Sequence, residues 1–241
     1  MKRDDLVRIL AVLGGAIVLV VALVVAIRIA NPSTKPSASN IQVDSINEML
    51  SGIPQNGTAL GSPKAKLTLV EFADPQCPAC GEFARNTFPS LVQDYVRTGK
   101  LRVEYRGLHF VDSFVANGPN DSQRLLRLAL AAGFQNKLWN VVELEYENQG
   151  AENSGYATDA LMRAIAEAVP GLDVEKTLSV SNTNAVVPMM TAAQKLGNQS
   201  FDPISTPSFL LGPTGAKPTQ KITNTLDTQS FVDAINAQLN K

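Results

Sequence analysis

The sequence predicts an α/β domain whose sheet-forming segments are split by a block of helices, with a transmembrane helix ahead of it. Three observations carry this. A strand pattern, a helix pattern and a second strand pattern follow one another between Leu67 and Arg106, the order of a right-handed parallel crossover. Helical periodicity then fills most of the chain from Asp121 to Gly197, before strand patterns return at Ser208. Ile9 to Ile27 carries no charged residue and approaches the ~20 apolar residues that cross a bilayer.

The N-terminal segment reads as a signal anchor. Lys2, Arg3 and Arg8 precede the apolar run and only Arg28 follows closely, a bias that keeps the N-terminus cytoplasmic and exports the rest. Arg28-Ile29-Ala30 is a poor cleavage site and the apolar core is long for a signal peptide, which favours an uncleaved anchor over residues 1–30. Residues 31–56 form a tether: Asn31 to Asn40 is rich in Pro and Ser and flexible by composition. A short amphipathic helix follows over Ile41 to Leu50, then a turn-rich stretch from Gly52 to Pro63. The main domain is expected over 57–241, with its helical block at about 118–198. The chain has 241 residues and a net charge of −1, which leaves no electrostatic case for nucleic-acid binding.

Leu67, Leu69, Val70 and Phe72 form the first strand, interrupted by one carboxylate, Glu71. Such a residue is either buried or at an edge. The chain turns at Asp74-Pro75, delivers Cys77-Pro78-Ala79-Cys80, and enters a helix marked by Phe83, Phe88, Leu91, Val92 and Tyr95. Thr98-Gly99-Lys100 stops it. Leu101, Val103 and Tyr105 alternate with charged residues, as in a half-buried strand. His109 completes no constellation and reads as a loop or core-edge residue. Leu125 to Leu144 supplies one long apolar face, with Trp139 as a core anchor. Further helices fall at Ala157–Val169, 174–180 and 185–196, where Met189 and Met190 read as ordinary packing. Ser208 to Leu211 is a strand, Gly212 to Pro218 a hairpin turn, and Lys221 to Leu226 its partner. Thr228 is expected to cap a terminal helix that buries Phe231, Ile235 and Leu239.

The chemistry lies at the two cysteines, which are the only ones in the chain and share it with a single histidine. That set cannot fill a four-ligand zinc site without a second chain. A static disulfide across two intervening residues closes a tiny loop and removes little unfolded-state entropy. A redox pair fits better. A helix start leaves backbone N–H groups unpaired and carries a positive partial charge, so Cys77 is expected to carry an exposed thiolate with a pKa of ~3.5–7.5. Pro78 suits the first helical turn, where its missing N–H has no partner. Cys80 lies one turn further in, partly buried, as the resolving thiol.

The run EFADPQCPACGEF resembles the DsbA-like branch of the thioredoxin-fold thiol–disulfide oxidoreductases. Ile204-Ser205-Thr206-Pro207-Ser208-Phe209 resembles that family's cis-proline loop, and Pro89 falls where its active-site helix commonly kinks. The resemblance runs from about Lys64 to the C-terminus. It implies a mixed central sheet with a helical insertion, and a cis Pro207 beside the cysteines. It further implies that Cys77, Cys80 and a buried Glu71 are catalytic, with Pro78, Ala79, Thr206 and Pro207 meeting the substrate. No metal or organic cofactor is implied, the redox group being the Cys77–Cys80 disulfide. Two departures stand out: Pro75 replaces the usual aromatic, and Ala79 stands where strongly oxidising relatives have His.

By this resemblance the chain is a cell-membrane-anchored, extracytoplasmic oxidase. It would place disulfides in exported cysteine-containing proteins, with a membrane partner of the DsbB or VKOR type re-oxidising it. A reductase or isomerase on the same fold, or a non-catalytic peptide-binding or chaperone module, are the alternatives.

Overall fold

A computed structural model describes residues 43–241. The anchor expected at residues 9–27 and the polar tether at 31–40 lie outside them. No helix among the described residues is long and apolar enough to cross a membrane. The elements run α1 (Val43–Leu50), β1 (Gln55–Asn56), β2 (Ala59–Leu60), β3 (Leu67–Ala73), α2 (Pro78–Asn86), α3 (Phe88–Leu91), a π-helical turn (Val92–Val96) and β4 (Leu101–Gly107). After a 3₁₀ turn at Val111–Phe114 come α4 (Asp121–Gly133), α5 (Leu138–Glu147), α6 (Asp159–Glu167) and α7 (Val174–Ser181). A second 3₁₀ turn (Asn184–Val186) leads to α8 (Val187–Ser200), β5 (Ser208–Pro213), β6 (Gln220–Ile222) and α9 (Thr228–Leu239).

Among the described residues, one mixed sheet of six strands, in the order β1-β2-β4-β3-β5-β6, organises the fold. β3 is its centre, parallel to β4 and antiparallel to β5. Every residue of β3 is buried, which is why its sequence reads as a near-continuous apolar run rather than an alternation. Leu67, Leu69 and Ala73 join the main core, whereas Val70 and Phe72 join a smaller one with Leu108, Ala193, Ile204 and Leu210. Side chains alternate across a strand, so Glu71 falls on the main-core face.

The active-site helix is broken where the resemblance implies a kink. α2 ends at Thr87, whose N–H still reaches the Phe83 carbonyl. Pro89 supplies no N–H, and α3 restarts around it. Phe83 packs against Phe209 and Phe231, with ring centroids 4.6 and 5.2 Å away, clamping α2 to β5 and α9. Trp139 is fully buried, stacks on Phe88 at 5.1 Å, and donates from Nε1 to the Thr58 carbonyl at 3.1 Å. One indole thus fastens the helical block to the active-site helix and the sheet edge.

Several expectations are corrected. β1 and β2 lie inside the stretch read as turns. The apolar face from Leu125 to Leu144 is two helices, parted at Asn136, whose φ of 59° is left-handed. The last hairpin strand ends at Ile222, and Leu226 is exposed. Asp227, not Thr228, caps α9: its carboxylate accepts from the N–H groups of Gln229 and Ser230. Leu239 is only partly buried, beside fully buried Phe231 and Ile235.

Candidate active site

β3 ends at Ala73, and the chain turns so that Cys77 becomes the N-cap of α2, in extended backbone with φ −65° and ψ 119°. Pro78 occupies the first helical turn. The Cys77 carbonyl accepts the first helical bond, from Gly81 N–H at 3.2 Å. Both cysteines are free thiols.

The Cys77 sulfur faces the loop before β5. Its thiol donates to the Thr206 carbonyl at 3.3 Å, and the Thr206–Pro207 bond is cis. As a thiolate it accepts from the Cys80 thiol first, then from the Thr206 hydroxyl and the N–H groups of Cys80 and Ala79. These donors outweigh burial and lower the Cys77 pKa to about 6. Cys77 is only 8% exposed, a correction to the freely exposed sulfur expected from its position. The cover comes from hydrogen-bonding groups as well as apolar ones, so the sulfur is shielded without being sealed in hydrocarbon.

Cys80 has no exposure at all, deeper than the partial burial expected. Burial is the main force raising its pKa, and the hydrogen bond and charge of Cys77 add to it. The Glu71 charge pushes the same way. Glu71 is 2% exposed and lies between Tyr105 of β4 and Phe209 of β5 in the strand register. Burial raises its pKa to about 8; among the described residues no cation pairs with it. A carboxyl there is protonated at neutral pH and sits within electrostatic reach of Cys80.

The structure therefore gathers Cys77, Cys80, Glu71, Pro78, Ala79, Thr206 and Pro207 at one end of the sheet. His109 lines a cavity of about 420 Å³ with Arg127 and Lys195. Met190 is nearly buried and lines the same cavity. No cluster of His, Cys, Asp or Glu among the described residues could hold a metal.

Sequence reasoning used Asp74 only as a turn residue. Its buried carboxylate accepts from Gln76 N–H (2.8 Å), Ser122 Oγ (2.6 Å) and Val111 N–H (2.9 Å). Its backbone N–H points at the Cys80 sulfur. Burial raises the Asp74 pKa against these hydrogen bonds. The DP dipeptide signals a turn, but nothing local announces partners at Val111 and Ser122. A second cis bond, Asp202–Pro203, was likewise not expected.

A family model described as Thioredoxin matches residues 54–234. The probable disulfide bond formation protein D of Bacillus cereus is 28% identical over 141 residues, 58% of this chain and 62% of that protein. The matched stretch thus spans under two thirds of that relative's length. In fold, the crystal structure of BdbD from Bacillus subtilis (oxidised) superposes with a TM-score of 0.64 at 20% identity, covering 80% of this chain and 98% of that one. Chlamydia trachomatis DsbA gives 0.63 at 16% identity, covering 76% and 91%. The chain belongs to the thioredoxin family, and its fold is that of the two solved structures.

Proposed function

We propose that this chain is an extracytoplasmic thiol–disulfide oxidase that introduces disulfides into exported proteins through Cys77 and Cys80. The observation that carries the reading is the Cys77 sulfur at a helix start, with a pKa lowered to about 6 and the cis-proline loop 3.3 Å away. In the oxidised protein a substrate thiolate attacks Cys77. The Cys77–Cys80 bond breaks, and Cys80 leaves with the electron pair. Cys80 has a raised pKa, so its thiolate takes up a proton, and Glu71 is the nearby protonated carboxyl that can supply it. A second substrate thiolate then attacks the mixed disulfide, forming the new substrate disulfide and releasing Cys77 as a stable thiolate. Two electrons pass from the substrate dithiol to the cysteine pair.

Stabilising the reduced product makes the disulfide a stronger oxidant, which supports the oxidase direction. Pro78, Ala79, Thr206 and Pro207 surround the sulfur and are the surface a substrate chain meets. The Thr206 backbone offers it main-chain hydrogen bonds in the manner of an added strand. The apolar run at residues 9–27 supports anchorage with the domain outside the cytoplasm, where disulfides persist. A membrane partner of the DsbB or VKOR type completes the cycle by re-oxidation.

Ala79 favours a second reading, a reductase or isomerase of the same fold, because no His⁺ adds to the stabilisation of Cys77. A reduction potential decides between them. The oxidase reading predicts a value well above thioredoxin's, which is about −270 mV; a value at or below that overturns it. A Cys80→Ala variant expressed in cells should accumulate mixed disulfides with exported proteins. Function that survives loss of both cysteines would instead mark a non-catalytic binding module.

A further inference from the structure

We propose that two glutamines, Gln76 on the loop that carries the Cys77 sulfur and Gln149 in the helical insertion, are positioning residues for the nucleophile: together they tie that loop to the insertion. The proposal rests on the reading of Cys77 as the attacking group.

Gln76 immediately precedes Cys77 and is almost completely buried. Both ends of its side-chain amide are engaged by groups far away in sequence. Nε2 donates to Asp112 Oδ1 and to Ser122 Oγ, each at 2.8 Å. Oε1 accepts from Asn153 N–H at 2.6 Å. Asp112 in turn accepts from the N–H groups of Ser122 (3.0 Å) and Gln123 (2.8 Å). Gln76 is therefore tied to the first turn of α4 rather than to its own segment. A long polar side chain ordered this way loses much rotamer freedom, and a satisfied buried network rigidifies what it joins.

Gln149 approaches the same loop from the segment after α5. Its Nε2 donates to the carbonyls of Pro75 (2.8 Å) and Cys77 (3.0 Å), the residues on either side of Gln76. Gly81 shows that this seat is tightly filled: a Cβ there would collide with the Gln149 side-chain amide. Residues 75, 76 and 77 are thus each held by a group from outside the strand–helix unit.

The hold matters because the donors that stabilise the Cys77 thiolate are directional. Hydrogen bonds weaken steeply with misalignment, and the Cys80 thiol, the Thr206 hydroxyl and the N–H groups of Cys80 and Ala79 act only on a sulfur in register with them. A loop released from both glutamines lets the sulfur wander from those donors. The insertion then sets the reactivity of a cysteine with which it shares no sequence neighbourhood.

The test compares Gln76→Met and Gln149→Leu with Arg124→Ala in the full chain. Each glutamine variant keeps the side-chain bulk and removes the hydrogen bonds. Arg124 donates to the Ala157 carbonyl at 2.7 Å and pairs with Asp159, stitching the insertion together without touching the loop. Thermal melting and the ultraviolet titration of the Cys77 thiolate are read on all three. Both glutamine variants should raise the thiolate midpoint by about one unit, roughly tenfold less thiolate at a given pH below it. Arg124→Ala should lower the melting temperature and leave the midpoint alone. Glutamine variants that melt early but titrate like the parent would overturn the proposal, and so would a shift of the same size in Arg124→Ala. Should Gln76→Met fail to fold, the half-buried Gln149 carries the test by itself. Disulfide exchange surviving in Cys77→Ser would overturn the underlying reading instead, which keeps the two failures distinct.

Discussion

Cys77 and Cys80 stand one helical turn apart, yet they live in different media. The loop end, at Cys77, is a polar setting: the Cys80 thiol, the Thr206 hydroxyl and carbonyl and backbone N–H groups face the sulfur, and Gln149 of the insertion holds the Cys77 carbonyl. The helix interior, at Cys80, is a closed apolar setting whose nearby titratable groups are Glu71, Tyr105 and Tyr146, all with raised pKa values. The same thiol is pulled down to about 6 in the first and pushed up in the second. Residue type therefore explains nothing of the division of labour. It comes from which sulfur caps the helix and which lies a turn inside it.

Removing the polar end of the comparison should have the largest effect. Cys77→Ser is expected to abolish thiol–disulfide exchange in a fluorogenic peptide assay, whereas Cys80→Ala should still attack substrate and stall as a mixed disulfide visible on a non-reducing gel. Equal loss of mixed-disulfide formation in both variants would break the asymmetry.

Altering the apolar end comes next. Glu71→Gln keeps the shape and removes the titrating proton; Cys80 release at neutral pH should slow by roughly 100-fold, the scale of a lost acid–base group. The same variant tests stability with a definite sign. The Glu71 pKa is raised in the folded state, from 4.5 to about 8. Its stabilising contribution is fully present below pH 4.5 and is lost as pH rises through 8. Urea unfolding of the reduced protein should therefore show Glu71→Gln more stable than the parent at pH 8, by a few kcal/mol on the order expected for such a shift, with the gap closing at pH 4. A gap of the opposite sign would mean that Glu71 is ionised and satisfied in the fold.

Ala79→His is the smallest change and sharpens the comparison. An imidazolium in the first turn of α2 should lower the Cys77 midpoint by about one unit and make the disulfide more oxidising by roughly 30 mV. Equilibration against glutathione reads the potential, and an unchanged value would mean that the donors already present saturate the thiolate.

Much of this was legible in the chain, for physical reasons that differ by element. β3 and β4 announce themselves because one is buried on both faces and the other on one, giving a solid apolar run and a strict alternation. The helix start at Cys77 follows from Pro78. Glu71 could be picked out because a lone carboxylate inside an apolar strand has few places to go. β1 and β2, with two residues each, are too short to show any period. The break between α4 and α5 depends on one asparagine adopting a left-handed backbone, which its neighbours do not signal. The cap of α9 fell one residue from its expected place because Asp227 and Thr228 are both good caps, and only the backbone chooses between them. The polar grip on the active-site loop was invisible for a deeper reason: Gln76, Asp112, Ser122, Gln149 and Asn153 are ordinary surface-type residues until the fold brings them together.

The most direct measurement is a pH titration of thiolate absorbance on the reduced full-length protein, with Cys77→Ser alongside. A first transition centred at about 6, absent from Cys77→Ser, is the predicted result. A first transition near the ordinary cysteine value of about 8.5, or one at low pH that survives in Cys77→Ser, would contradict it.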